Sequence, residues 1–219
     1  MTAVVEWDEQ YARSMGLRWY PSEALCQFVG RVYGTGPGVV HDVEALEIGC
    51  GNGANVWFLA KHCRAVTGVD GSPTALQLAA DRLRADGLSA TLKACDALDL
   101  PFPDSSFDLV VDVQCVQHIK FSDHERAFRE IARVLRPGGW FFSKHLGTGT
   151  HRYAELFPTT GHVAIVSARW LAAKLERARL TPGTVTSETR TYPGGAAAQW
   201  WIVNAQKADG RQRADGTSD

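Results

Sequence analysis

ALEIGCGNGANVWFLA, residues 45–60, runs from an apolar stretch into a cluster of glycines and then into apolar residues at helical spacing. The pattern predicts a strand, a tight loop and a helix. Gly49, Gly51 and Gly53 free the backbone to turn sharply and let a ligand approach closer than a Cβ would allow. The helix that follows opens with unpaired N–H groups. A dinucleotide loop would read G-x-G-x-x-G, whereas this one reads Glu47-x-Gly49-x-Gly51-x-Gly53. A carboxylate two residues before the first glycine repels a pyrophosphate and suits a cationic ligand group.

Outward from that loop, strand-like and helical stretches alternate from Val43 to Lys144, the signature of stacked βαβ units on a mostly parallel sheet. Strands are predicted at 43–48, 65–70, 90–95, 107–113 and 140–146. Ser72 caps a helix that carries Pro73 at its first position and closes on Gly87. A second helix, capped by Ser122 or Asp123, ends at the turn Pro137-Gly138-Gly139. Residues 147–167 are irregular and rich in Gly, Thr and aromatic side chains, and read as a cover over a ligand site. The helix 168–180 follows, then strands 184–192 and 196–207 joined by Pro193-Gly194-Gly195, too short a turn for anything but an antiparallel pair. The expected fold class is α/β: a Rossmann-like three-layer sandwich whose mostly parallel seven-stranded sheet has an antiparallel last strand. One domain is expected over 1–206, with a helical cap at 1–40, a cofactor-binding core at 43–146, the cover and its helix at 147–182 and a hairpin at 183–206. Residues 207–219 read as a disordered tail.

The composition narrows the function classes. The 219 residues are 45% hydrophobic, enough for one medium core, and a formal net charge of −1 gives a polyanion no long-range attraction. Nucleic acid is therefore not an expected partner. Five cysteines without a C-x-x-C pair argue against a disulfide framework and a structural zinc, and no metal site is expected. No basic leader and no apolar run of about 20 residues suggests export or a membrane span, so a cytoplasmic protein is the expectation. Oligomeric state is not readable.

The E-x-G-x-G-x-G loop, Asp70 and Asp96 at the next two strand ends, and the stretches LPFPDSSFDLVVDVQCVQHI and REIARVLRPGGWF together resemble the class I S-adenosylmethionine-dependent methyltransferases. The resemblance spans about Val43 to Leu146 and implies S-adenosyl-L-methionine as cofactor. It implies that Glu47 meets the ammonium of the methionine moiety and that the backbone from Gly49 through Cys50 and Gly51 to Gly53 lies against the ligand. Asp70 would accept from the ribose hydroxyls, Asp96 from the adenine amine, and the Ala97 N–H would face a ring nitrogen. Gly71, Ser72 and Leu98 would flank the purine, and Gln114 would stand where sulfonium and nucleophile meet. Each carboxylate alone would read as a cap or a solvated turn residue. In an open α/β sheet, however, the carboxyl ends of the strands form one crevice, where these residues converge.

His118 and His145 lie near that crevice as candidate general bases, although His118 equally fits a structural role in its turn; His151 and His162 are more distant candidates. Trp7 and Tyr11 share a helix face and could close over the methionine end of the cofactor, with Arg18, Trp19 and Tyr20 nearby. Packing of that helix on the sheet is the plainer alternative. Cys115 lacks a cationic neighbour and reads as an inert thiol. The expected acceptor is a small organic molecule, a secondary metabolite, held among aromatics such as Trp19, Tyr20, Tyr153, Phe157, Trp170 and Trp200. A non-catalytic cofactor-binding partner and a nicotinamide oxidoreductase are the competing readings.

Overall fold

The structure, a computed structural model, describes residues 3–13, 20–34, 41–152 and 162–209. Arg18, Trp19, Tyr153 and Phe157 lie outside the described residues, as do 210–219 of the expected tail. Two helices, α1 (Ala3–Arg13) and α2 (Glu23–Tyr33), precede the sheet. The elements β1 (His41–Ile48), α3 (Ala54–His62), β2 (Cys63–Asp70), α4 (Pro73–Ala85), β3 (Thr91–Ala94) and β4 (Phe107–Val113) follow. Then come α5 (His124–Val134), β5 (Leu135–Leu146), α6 (Ala168–Arg177), β6 (Leu180–Thr191) and β7 (Ala197–Lys207).

The seven strands lie in the order β3-β2-β1-β4-β5-β7-β6. The first five are parallel, and β7 inserts between β5 and β6 antiparallel to both. This is the expected Rossmann-like arrangement. The alternation of β1 decides its layers: Leu46 and Ile48 join the core under α5 and α6, while Ala45 packs with Phe28 of α2 and Leu59 of α3 on the opposite face. Burying both faces is what the near-continuous apolar run of β4 required. The middle of α5 repeats Ala127, Phe128 and Ile131 at helical spacing, all fully buried.

Boundaries differ where turn residues proved compatible with pairing. Pro137-Gly138-Gly139 does not precede β5 but lies within it, as an irregularity between the pairs Phe107↔Leu135 and Leu109↔Trp140, with Gly138 at φ 76°. Pro182 and Gly183 likewise sit in a register shift of β6, which begins at Leu180, inside the stretch expected to be helical. Arg179, at φ 62°, ends that helix early, and Leu180 pairs with Lys207 instead. Lys207, the first residue of the expected tail, is instead the last residue of β7 and donates from Nζ to the Leu135 carbonyl at 2.7 Å.

The helix α4 ends as its sequence dictates. Ser72 Oγ accepts the Ala75 amide at 3.0 Å, and Gly87, at φ 67°, lets the Leu88 amide return to Leu83. Phe128 is fully buried and meets Phe141 at a ring-centroid distance of 6.2 Å. Phe128→Ala should cost about 3–5 kcal/mol in a urea melt, the range for deleting a buried aromatic side chain.

Candidate cofactor site

The parallel order β3-β2-β1-β4 brings the ends carrying Asp96, Asp70, Glu47 and Gln114 to one edge of the sheet. Their convergence is electrostatic as well as topological. The Cys115 thiol is pushed well above its ordinary range by burial and then by Asp112, Asp70, Glu47 and Asp96. A thiol so placed stays protonated and weakly nucleophilic, as its sequence context implied.

Glu47 is 1% exposed and lies under the first turn of α3. Its Oε1 accepts the Asn55 side-chain amide at 2.7 Å, and the carboxylate also takes the Val56 amide. Oε2 is buried and has no partner among the described residues. Burial pushes the carboxyl up to about 8, against those two bonds, and Asp70 and Asp112 add to the shift. Asn55, which the sequence reading missed, also receives the Ser22 amide at 2.8 Å and so couples Glu47 to the entry of α2.

The glycine loop has the left-handed turns its composition predicted, with Gly51 at φ 52° and Gly53 at φ 75°. A Cβ on Gly53 would stand 2.7 Å from the Ala79 Cβ, and one on Gly51 would stand 2.5 Å from the Tyr11 hydroxyl. The first glycine is needed for packing against α4, the second for the approach of α1. The Gly51 amide donates to Asp70 Oδ2 at 2.8 Å and the Ser72 amide to Oδ1 at 2.9 Å, so Asp70 ties two strand-end loops together. The carboxylate keeps lone-pair capacity for a further donor. Burial raises the Asp70 carboxyl, and the amides of Ser72, Gly51 and Gly71 hold it down.

Asp96 is exposed, and its Oδ1 accepts the Leu98 amide at 2.9 Å, fixing the turn through Ala97. Gln114 sits at φ 67° with its amide on the Lys144 carbonyl. That strained backbone is held by Asp112, also unanticipated: fully buried, it accepts from the Cys115 and Val116 amides through Oδ1 and from the Ser143 hydroxyl through Oδ2. Burial pushes its carboxyl up to about 6.

His118 lies between Trp7, whose ring meets it edge-on at 4.7 Å, and the cover: its Nδ1 is 3.3 Å from the His162 carbonyl and its Nε2 3.2 Å from Gln117 Nε2. Donation from Nδ1 to the carbonyl leaves Nε2 with the lone pair. His145 is fully buried, with Nδ1 near the Leu146 carbonyl at 3.2 Å and Nε2 without a partner. Burial pulls both imidazoles, and that of nearby His124, down to about 4. The exposed His151 is bound through Nδ1 to Gly149 O at 3.0 Å, which leaves it on the cover. Among the expected aromatics, Tyr20 is 92% exposed, and Trp170 stacks on Phe121 at 4.9 Å. Trp200 packs with Leu146 beneath the Lys144 ammonium, while Trp201 on the opposite face donates to the Val166 carbonyl.

The residues present fit a nucleoside that carries an amine. A buried oxygen without a donor among the described residues lies beside the glycine loop, with two further carboxylates at adjoining strand ends. Comparison with known proteins points the same way. Residues 46–143 match the family model described as a methyltransferase domain. Methyltransferase GfsG of Streptomyces halstedii is 38% identical over 99 residues, 44% of this chain and 35% of the relative. Demethylmenaquinone methyltransferase of Tropheryma whipplei is 39% identical over 102 residues, 47% of this chain and 41% of the relative. The chain thus spans well under half the length of these relatives. The crystal structure of a SAM-dependent methyltransferase from Methanosarcina mazei, 24% identical, superposes with a TM-score of 0.66 over 79% of this chain and 96% of that one, a likeness of fold. The match over residues 46–143 is to a methyltransferase domain, and together with the fold it supports the class I S-adenosylmethionine-dependent methyltransferases, with S-adenosyl-L-methionine as the implied cofactor.

Proposed function

We propose that the chain transfers a methyl group from S-adenosylmethionine to a small organic acceptor, a secondary metabolite, by in-line displacement. The buried, half-partnered carboxylate of Glu47 beside the glycine loop is the observation that carries this reading. When bound, the cofactor supplies an electrophilic methyl group on a positive sulfonium. The protein's share is to orient the reactants and exclude water.

In this reading Glu47 Oε2 receives the ammonium of the methionine moiety, which fills the acceptor position that Asn55 and Val56 leave open. The remaining acceptor capacity of Asp70 faces the ribose hydroxyls, and Asp96, whose Oδ1 already holds Leu98, turns its other oxygen to the adenine amine. Gln114 stands at the end of β4, its backbone fixed by Asp112 and Lys144, beside the transferring group. His145 retains a ring nitrogen without a partner, and the His118 lone pair is shared with the Gln117 amide. An imidazole held near 4 is a weak base, so both suit a nucleophile that needs only a hydrogen-bond acceptor or loses its proton readily. The small acceptor draws support from relatives such as the demethylmenaquinone enzyme, whose name gives a small acceptor of its own.

Transfer of a labelled methyl group to a panel of small phenols, amines and acids tests the reaction, and a chain that binds the cofactor without turnover would fail it. In calorimetry, Asp70→Ala should weaken S-adenosylhomocysteine binding by about 1–3 kcal/mol, the cost of leaving buried donors unmatched; unchanged affinity would remove Asp70 from the site.

Glu47 gives two pH signatures. With a folded value of about 8 it is mostly protonated at neutral pH, so arrival of an ammonium should expel its proton. Calorimetry in buffers of different ionisation enthalpy should show proton release for the wild type and none for Glu47→Gln. The same raised value means that the unfolded chain ionises first as pH rises, which lowers wild-type stability between its ordinary 4.5 and about 8. Relative to Glu47→Gln, the ligand-free wild type should lose about 4 kcal/mol across that window in urea melts.

A further inference from the structure

Helix α1 lies before the matched domain, yet it touches three of the strand-end loops that form the cleft. Asp8 Oδ1 accepts the Ser72 hydroxyl at 2.6 Å and the Thr74 amide at 2.9 Å, so a carboxylate from α1 completes the first turn of α4. That position is favourable for an anion, because the first amides of a helix lack intrahelical partners and its dipole is positive there. The bonds hold the Asp8 carboxyl below the ordinary range, the Ser72 hydroxyl contributing most.

Three residues further along, Tyr11 presents its hydroxyl to Gly51. That approach sets the phenol beside the glycine loop, and burial there raises it, with Asp70 adding to the shift. One residue before Asp8, Trp7 lays its ring against His118. Helix α1 thus roofs the glycine loop, resting on the loop after β4 at one side and bonded through Asp8 to the loop after β2 at the other.

We infer that Asp8 is a positioning residue: by docking α1 on the N-terminus of α4 it holds Tyr11 and Trp7 over the cleft, and so governs how long a bound nucleoside stays. The inference rests on the reading of the cleft as the cofactor site. For a ligand to leave the loop the roof must lift, and lifting breaks both Asp8 bonds.

The test compares wild type, Asp8→Ala and Asp8→Asn, the last of which keeps an amide oxygen able to accept from both Ser72 and Thr74. Two quantities are read: hydrogen exchange of the α1 amides in the free protein, and the dissociation rate of S-adenosylhomocysteine. Asp8→Ala should exchange faster over α1 and release the nucleoside about fivefold faster, a factor expected from losing charge-assisted hydrogen bonds at a solvent-accessible site. Asp8→Asn should stay near the wild type on both. If Asp8→Ala leaves either α1 exchange or dissociation unchanged while the wild type binds the nucleoside, the inference is overturned and the cofactor reading stands. A wild type that does not bind S-adenosylhomocysteine overturns the cofactor reading and the retention role with it.

Discussion

The structure of this chain around its cleft depends on one buried carboxylate. Glu47 stands at the end of the central strand β1, 1% exposed, where an uncompensated charge would be costly. The local fold answers with Asn55, the Val56 amide and the positive end of α3, and leaves one oxygen without a donor. That arrangement needs α3 to start abruptly after β1, which is what the alternating glycines permit. It also needs the segment entering α2, since Asn55 is oriented by the Ser22 amide. An acid kept half-satisfied in this way stabilises the protein poorly by itself, and its retention makes physical sense where a cation arrives to complete it.

The titrating groups around the cleft act in opposite directions. Glu47 and Asp112, both raised by burial, erode stability as pH climbs from their ordinary values toward about 8 and about 6. His118, His124 and His145, all lowered to about 4, erode it as pH falls from 6.5, because the unfolded chain takes up protons that the folded one refuses. The site therefore holds neutral imidazoles and at least one neutral carboxyl at physiological pH. In the proposed reaction such a site would recognise a cation through Glu47 and offer the acceptor weak bases only.

Much of this was legible in the sequence because its determinants are local. The glycine spacing, the strand ends carrying Asp70 and Asp96, the Ser72 cap and the closing hairpin each follow from a few adjacent residues. Turn chemistry misled where pairing overrode it: Pro137-Gly138-Gly139 read as a break but was absorbed as an irregularity inside β5, whose neighbours held the register. Asp8 could not be found, since a carboxylate in a helix reads as a solvated charge and its partner is 64 residues away. Asp112 carried a usable signal, an acid inside an apolar strand, which a buried anchor of hydrogen bonds explains. The roles of His118 and His145 were illegible for a different reason: what decides a histidine's basicity is its burial and its neighbours' carbonyls, and neither is written in its own sequence.

The central claim is that Glu47, the glycine loop and Asp70 form one binding surface for an adenosyl amino acid. A crystal structure with S-adenosylhomocysteine tests it most directly. The account predicts the ligand's amine within hydrogen-bonding distance of the Glu47 carboxylate, its ribose hydroxyls on Asp70 and its chain along Gly49 to Gly53. A ligand seated elsewhere, or one whose amine lies far from Glu47 while that oxygen stays unpartnered, would contradict it.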